Sequence, residues 1–493
     1  MADSFKIARN TTYLTIASIF QKILSFIYFA FLAKIIGSEA LGQYQSVLAF
    51  CGIFYIFMDF GLGAVLTREA AKEEEQLPNY FRQIFGAKMI LIVVSVISLV
   101  ATANILHYLK PNNYTAEDLF LIYVGTIVVL IDTLTYTFFC VFRALKKMQY
   151  EAFNIVIYQG VIFCVGIFGL IYIQQVLFLL LVLMAGSLFS FIYFLIIVKK
   201  KAHLYLTGTY TWNNFKGLMK IAIPFAITGI FVKLSGTIDI QMLKYMLANG
   251  NHYVGLYTLA FKLTFALTVL SGAFASSYFP SISYYIKYDI FRAKDTFEKG
   301  MAYMALLSLP ITAGVLVLGD KIILTVWDER YFGSILPLKI YIASLLFIFL
   351  NYPVGNFLNA ANKQTLNTYN TGITLLINIV LNILLIPKYN IIGAAIAAFI
   401  SNTVLVLLGL PWVYKLLKFS WKNIMLKFIR LAVASIGMGL IVYFTQDYFA
   451  MVGNKWQLLI SMIIGIISYI ILLIITKGLT KQEFMNLRQA LKK

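Results

Sequence analysis

The chain has 493 residues, of which 61% are hydrophobic and only 12% charged, against roughly 25% charged residues in soluble globular proteins. This composition excludes a soluble enzyme or binding module and points to an integral membrane protein. The formal net charge of +20 invites a nucleic-acid reading, but in a polytopic protein Lys and Arg first serve to hold loops on the cytoplasmic side, so their placement decides.

The apolar stretches suit helices of about 20–28 residues crossing roughly 30 Å of hydrocarbon, whereas barrel strands would run about ten residues and alternate. Met1 to Asn10 is short and mildly basic, and the long run after it lacks an Ala-x-Ala exit, so the first helix is expected to stay. Hydropathy predicts an all-α polytopic membrane protein of fourteen spans, at approximately 11–36, 43–67, 83–106, 118–142, 150–173, 176–198, 218–247, 253–284, 299–319, 336–360, 367–386, 391–415, 425–446 and 456–476. The polar-ended stretch Leu318 to Phe332 is expected in the interface.

With the N-terminus inside, 29 of the 40 Lys and Arg residues, Lys88 among them, fall on inner segments. Six lie on outer segments, and five lysines, Lys22, Lys34, Lys233, Lys244 and Lys262, lie within spans. This asymmetry predicts both termini in the cytoplasm and makes the basic surplus topological, with no nucleic-acid partner.

A duplication is visible in the first and seventh spans. Ile16-x-x-Ile19-Phe20-x-Lys22 returns 211 residues later as Ile227-x-x-Ile230-Phe231-x-Lys233, each followed by a second lysine and by Gly42-Gln-Tyr44 or Gly255-Leu-Tyr257. The connection 199–217 separates six spans from the next six. Six is even, so the lobes 1–198 and 218–415 enter the membrane in the same direction as a parallel repeat. Residues 416–493 add two helices and a cytoplasmic tail.

Sequence signals for catalysis are missing: there is no phosphate-binding loop, His-Glu-x-x-His or Gly-x-Ser-x-Gly. His107, His203 and His252 are expected in loops, and Cys51, Cys140 and Cys164 in helices as packing residues, with no metal site. The informative residues are charges inside spans. Lys22, Lys233 and Lys262 lie roughly 13–24 Å below a surface at 1.5 Å per residue, whereas Lys34 and Lys244 are near outer ends and can snorkel. A mid-membrane lysine costs about 2.5–3.5 kcal/mol on insertion scales, so it is expected to face an aqueous or protein-lined interior.

Three acids, Asp59, Asp132 and Asp239, are candidates for coupling or gating. Asp59 and Asp132 are equally readable as bonded to helix-end backbone. Asp239 lies six residues from Lys233, on another face of the helix, and needs a partner elsewhere, such as Lys262 or Lys22. Asn367, Thr371, Thr374, Asn378 and Asn382 form one helical stripe, readable as interhelical glue or, at Asn367, Asn378 and Asn382, as sugar contacts.

Four stretches, Leu32 to Tyr44, Asp59 to Glu69, Phe142 to Met148 and Asn378 to Ala397, resemble the Wzx-type polysaccharide flippases. Their superfamily, termed MOP, also holds the multidrug and toxic-compound (MATE) extruders and the lipid II flippases. The resemblance implies two six-helix lobes around a central cavity lined by the first, second, seventh and eighth helices. It implies transport of an isoprenoid-diphosphate-linked oligosaccharide to the outer leaflet of the cell membrane, by alternating access driven by a proton or sodium gradient, without a cofactor. Lipid II flippases carry arginines where this chain has lysines, which favours an oligosaccharide-lipid.

On this reading Lys22, Lys233 and Lys262 neutralise a diphosphate or acidic sugars, as compact point charges suited to a headgroup that turns in transit. The partners would be the lipid-linked glycan, membrane lipids, a glycan polymerase and glycosyltransferases, and the protein would be a monomer. A cation exporter of the MATE type should instead have an acidic cavity, and a polytopic polymerase or transferase a large outer loop.

Overall fold

The computed structural model describes residues 2–202, 204 and 212–478. His203 and most of the expected connection between lobes lie outside the described residues. Fifteen α-helices carry the described chain: α1 (Ala2–Asp59), α2 (Leu62–Lys72), α3 (Leu77–Leu109), α4 (Ala116–Ala144), α5 (Gln149–Tyr172), α6 (Val176–Ile197), α7 (Trp212–Met246), α8 (Gly250–Leu267), α9 (Val269–Tyr288), α10 (Ile290–Val326), α11 (Ile335–Ala343), α12 (Leu345–Ala360), α13 (Gln364–Leu417), α14 (Trp421–Thr445) and α15 (Asn454–Ile475).

Among the described residues, twelve helical stretches are long and apolar enough to cross a membrane. Helices suit this setting because they satisfy every backbone group internally. Two stretches, Thr12–Lys72 with 61 residues and Gln364–Leu417 with 54, exceed by far the roughly 20 residues that one crossing needs. The break in α1 is Gly37, at φ 78° and ψ 177°, a conformation open essentially to glycine alone. Asn390, at φ 51° and ψ −131°, interrupts α13. Both breaks fall where short outer loops are expected, and one residue suffices for each.

The chain forms two compact units, Met1–Thr258 with Asn382–Ile391, and Leu259–Leu381 with Ile392–Lys493. This division differs from the boundary expected at 199–217. The first unit keeps α7 because it packs along α1. Its core joins α2, α3, α4 and α6 through Leu66, Phe81, Phe138, Phe142 and Phe194, with edge-on contacts such as Phe139 to Phe194 at 4.9 Å.

The second unit packs α9, α10, α12 and α13 around Phe297, Met304, Phe349 and Phe357. The two helices expected beyond the lobes, α14 and α15, pack against α10 through Leu431, Ala434 and Leu473 around Ala305. The Tyr469 hydroxyl donates to the Leu306 carbonyl at 3.0 Å.

The stretch from Leu318 continues α10 as far as Val326, and Trp327 and Tyr331 beyond it are buried. Its charges are drawn into pairs, Lys339 to Asp320 at 2.7 Å and Lys321 to Asp447 at 2.9 Å. His107 ends α3 and His252 starts α8, so neither is in a loop. Cys164 is exposed, whereas Cys51 and Cys140 are buried.

Candidate functional site

Lys233 lies midway along α7, half-buried, on the wall of a cavity of about 370 Å3 in the first unit. Gln21 of α1, Tyr55 of α1, Asp132 and Tyr136 of α4, and Tyr158 of α5 share that wall. Gly52 makes room for the lysine: a Cβ at that position would lie 2.9 Å from the Lys233 Nζ. Among the described residues neither Lys233 nor Asp132 takes part in an ion pair. The cavity thus presents an ammonium, a carboxylate and phenol hydroxyls, a donor-rich lining able to receive an anionic, hydroxylated group.

The other mid-membrane lysines are placed differently. Lys22 is exposed, and its neighbour Gln21 is the residue turned to the cavity. Lys262 is half-buried on the part of α8 that opens the second unit.

Asp239 is buried, and neutral donors meet its carboxylate: the Tyr257 hydroxyl at 2.6 Å and the Asn382 amide at 2.7 Å. Lys22, one of the two partners expected for Asp239, makes no ion pair among the described residues. Asn382 is fully buried and its amide is engaged with Asp239, so it is not available to sugar hydroxyls in this conformation. Asn378 is likewise buried, and Asn367 packs over Gly355, 3.5 Å from where a Cβ would stand. Asn382 thus serves here as interhelical glue.

Asp59 pairs with Lys88 at 2.8 Å and also accepts from the Gly63 backbone N–H at 3.4 Å. Lys88 is completely buried, which corrects its expected place on an inner segment. Its ammonium stands 5.6 Å from the centre of the Tyr136 ring, so this pair braces one wall of the Lys233 cavity from behind.

Lys244 is corrected too. It does not snorkel: its side chain is 1% exposed and pairs with Asp118, 0% exposed, at 3.0 Å, over the Tyr114 ring. The same corner holds Asn113, whose amide lies 2.9, 3.1 and 3.1 Å from the carbonyls of Lys244, Tyr245 and Leu247 and so caps the end of α7. Sequence reasoning missed Lys88 and Asp118. The signal for Asp118 was present in the capping box that it forms with Thr115 at the start of α4.

The repeated Gly-x-Tyr segments meet in the first unit. A Cβ on Gly42 would lie 1.6 Å from the Asn251 carbonyl oxygen, and one on Gly255 would lie 1.8 Å from that of Ser38. Ser38 and Asn251 each precede their own glycine by four residues, so the two copies make the same contact on each other. The Ser38 hydroxyl and His252 Nδ1, 2.9 Å apart, close its edge. Among the described residues no group of three His, Cys, Asp or Glu could hold a metal ion.

Comparison with known proteins gives consistent results. Residues 7–286 match a family model described as "Polysaccharide biosynthesis protein". The chain is 24% identical over 488 residues to the Haloferax volcanii protein described as "Probable low-salt glycan biosynthesis flippase Agl15", covering 98% of each chain. It is 23% identical to the Staphylococcus aureus "Capsular polysaccharide biosynthesis protein CapF", over 80% of this chain and 96% of that one. In fold it is similar to a lipid II flippase, MurJ, solved in an inward closed conformation, with a TM-score of 0.76 at 19% identity over 93% of this chain and 97% of that one. It is also similar to an inward-facing MATE transporter of the MOP superfamily, with a TM-score of 0.66 at 14% identity over 81% and 96%.

Proposed function

The chain belongs to the polysaccharide biosynthesis protein family, and from that premise we propose that it flips an isoprenoid-diphosphate-linked oligosaccharide from the cytoplasmic to the outer leaflet. It is a transporter and not a catalyst of covalent chemistry. The observation that carries this reading is the Lys233 ammonium, without an ion-pair partner among the described residues, on a cavity wall inside a membrane-spanning bundle. A charge held within a membrane-spanning bundle without a counter-ion is costly, and a diphosphate or acidic sugar supplies the missing one.

Read as two crossings each, the two double-length stretches would bring the twelve spans to fourteen, and the excess of Lys and Arg on the expected inner segments supports a cytoplasmic place for both termini. The meeting of Gly42 with Gly255 and the buried Lys244–Asp118 pair belong to a state closed on the outer side. Opening requires both to part, and the substrate drives the switch only by its differential affinity for the two states. Asp132 and Asp239 are the candidate sites for a coupling proton or sodium ion. The protein acts as a monomer beside the glycosyltransferases that build the glycan and the polymerase that extends it. A central ammonium opposes export of organic cations. The test is complementation of a glycan-export mutant with Lys22→Ala, Lys233→Ala, Lys233→Arg and Lys262→Ala, with protein levels measured alongside. Full export by Lys233→Ala at normal abundance would sink the reading.

A further inference from the structure

At the turn between α9 and α10 the second unit carries another hollow, of about 390 Å3, within the usual range of about 300–1,000 Å3 for small-molecule sites. Its floor is aromatic. Phe274 and Tyr278 stack on successive turns of α9 with ring centres 5.2 Å apart, and Phe274 meets Tyr303 of α10 at 6.5 Å. Gly300 permits this approach, since a Cβ there would lie 2.8 Å from the Tyr278 ring.

The rim is charged in both signs. Lys299 pairs with Asp295 at 2.6 Å and Arg292 with Asp289 at 3.3 Å, in both cases within one turn and substantially exposed. A second, independent feature is Tyr278 itself. It is 5% exposed, lines the hollow, and has a buried hydroxyl with no hydrogen-bond partner among the described residues. Buried hydroxyls in folded proteins are nearly always paired, so one at a cavity wall marks a place for a ligand group.

The chemistry of the wall discriminates among ligands. An apolar molecule would leave the Tyr278 hydroxyl and the ion pairs unanswered. A phosphate would meet Arg292 and Lys299 but would be repelled by Asp295. A sugar satisfies all of them, because its CH face packs on aromatic rings while vicinal hydroxyls offer one donor to the Asp295 carboxylate and one acceptor to the Lys299 ammonium.

We propose that this hollow is a saccharide-binding site on the side that the charge asymmetry assigns to the cytoplasm, where it holds sugars of the glycan that the transporter loads. The proposal rests on the flippase reading above. It gives the protein a means of recognising the glycan that is separate from the Lys233 cavity.

Saturation-transfer difference NMR tests it on the full chain in phospholipid nanodiscs, since a maltoside detergent would itself occupy such a site. The probes are glucose, N-acetylglucosamine, maltose and inorganic pyrophosphate. At least one saccharide should receive saturation through its ring CH protons, with the apparent affinity lowered about tenfold in Asp295→Asn and lowered in Tyr278→Phe. Asp295 is exposed, so its variant tests recognition without endangering the fold. Absence of saturation for all three saccharides, signals undiminished in Asp295→Asn, or displacement of the sugars by equimolar pyrophosphate would each overturn the proposal. Lys233→Ala should abolish export while leaving the saccharide signals intact. Export that survives Lys233→Ala would therefore count against the flippase reading, and loss of the NMR result against this site alone.

Discussion

Gly42 and Gly255, 213 positions apart in the sequence, occupy equivalent places in the two copies of the repeat, and each leaves no room for a Cβ because the other copy's backbone carbonyl is there. An alanine at either glycine therefore has to push two helices apart. With Cys164→Ser removing the exposed thiol and Ser46→Cys placing a thiol at a buried position, Gly42→Ala or Gly255→Ala should raise labelling by a membrane-impermeant maleimide about tenfold. Unchanged labelling would mean that the contact is not what closes the outer side.

The Lys244–Asp118 pair makes a stability prediction. Removing one partner of a buried pair typically costs about 3–5 kcal/mol, whereas replacing both by apolar residues is close to neutral. Lys244→Met and Asp118→Leu should each lower the unfolding temperature clearly, and the double variant should recover most of the loss. Equal loss in the double variant would show that packing, and not the uncompensated charge, sets the cost.

Gly52 offers a way to disturb Lys233 without touching it. A methyl group 2.9 Å from the Nζ forces the ammonium to move, so Gly52→Ala should reduce glycan export several-fold at unchanged abundance, and Gly52→Val should reduce it further. Lys233→Arg should retain partial export because the positive charge remains, and Lys233→Gln should fall to the level of Lys233→Ala. Normal export by Gly52→Val would separate the position of the lysine from transport.

Topology is checked by cysteine labelling. Asn112 is exposed in the α3–α4 connection and, unlike Asn113, is not engaged in capping α7, so Asn112→Cys should label from outside. Glu75→Cys, exposed between α2 and α3, should label only after the membrane is permeabilised. The reverse pattern would invert the charge argument.

Much of this architecture was legible because membrane helices advertise themselves by length and hydropathy, and because a duplicated lysine motif survives as sequence. The site was less legible. Lys88 follows Arg82 closely enough to read as part of a basic loop, and only the depth of α3 reveals that it is buried opposite Asp59. Lys244 lies near enough to a helix end to suggest snorkelling. Its partner Asp118 stands 126 positions earlier on a different helix, and periodicity along one helix carries no information about the charge on another. The Asn382 amide could equally serve a sugar or a carboxylate until packing puts Asp239 beside it.

Residues 382–391 are the middle of α13, yet they complete the first compact unit, where Asn382 donates to Asp239. During synthesis that unit is left unfinished for the 133 residues between Thr258 and Ile391, roughly 7–27 s at about 5–20 residues per second. Throughout that interval the Asp239 carboxylate lacks the Asn382 amide donor. A gene split between α7 and α13 would therefore have to supply both fragments at once for the first unit to form.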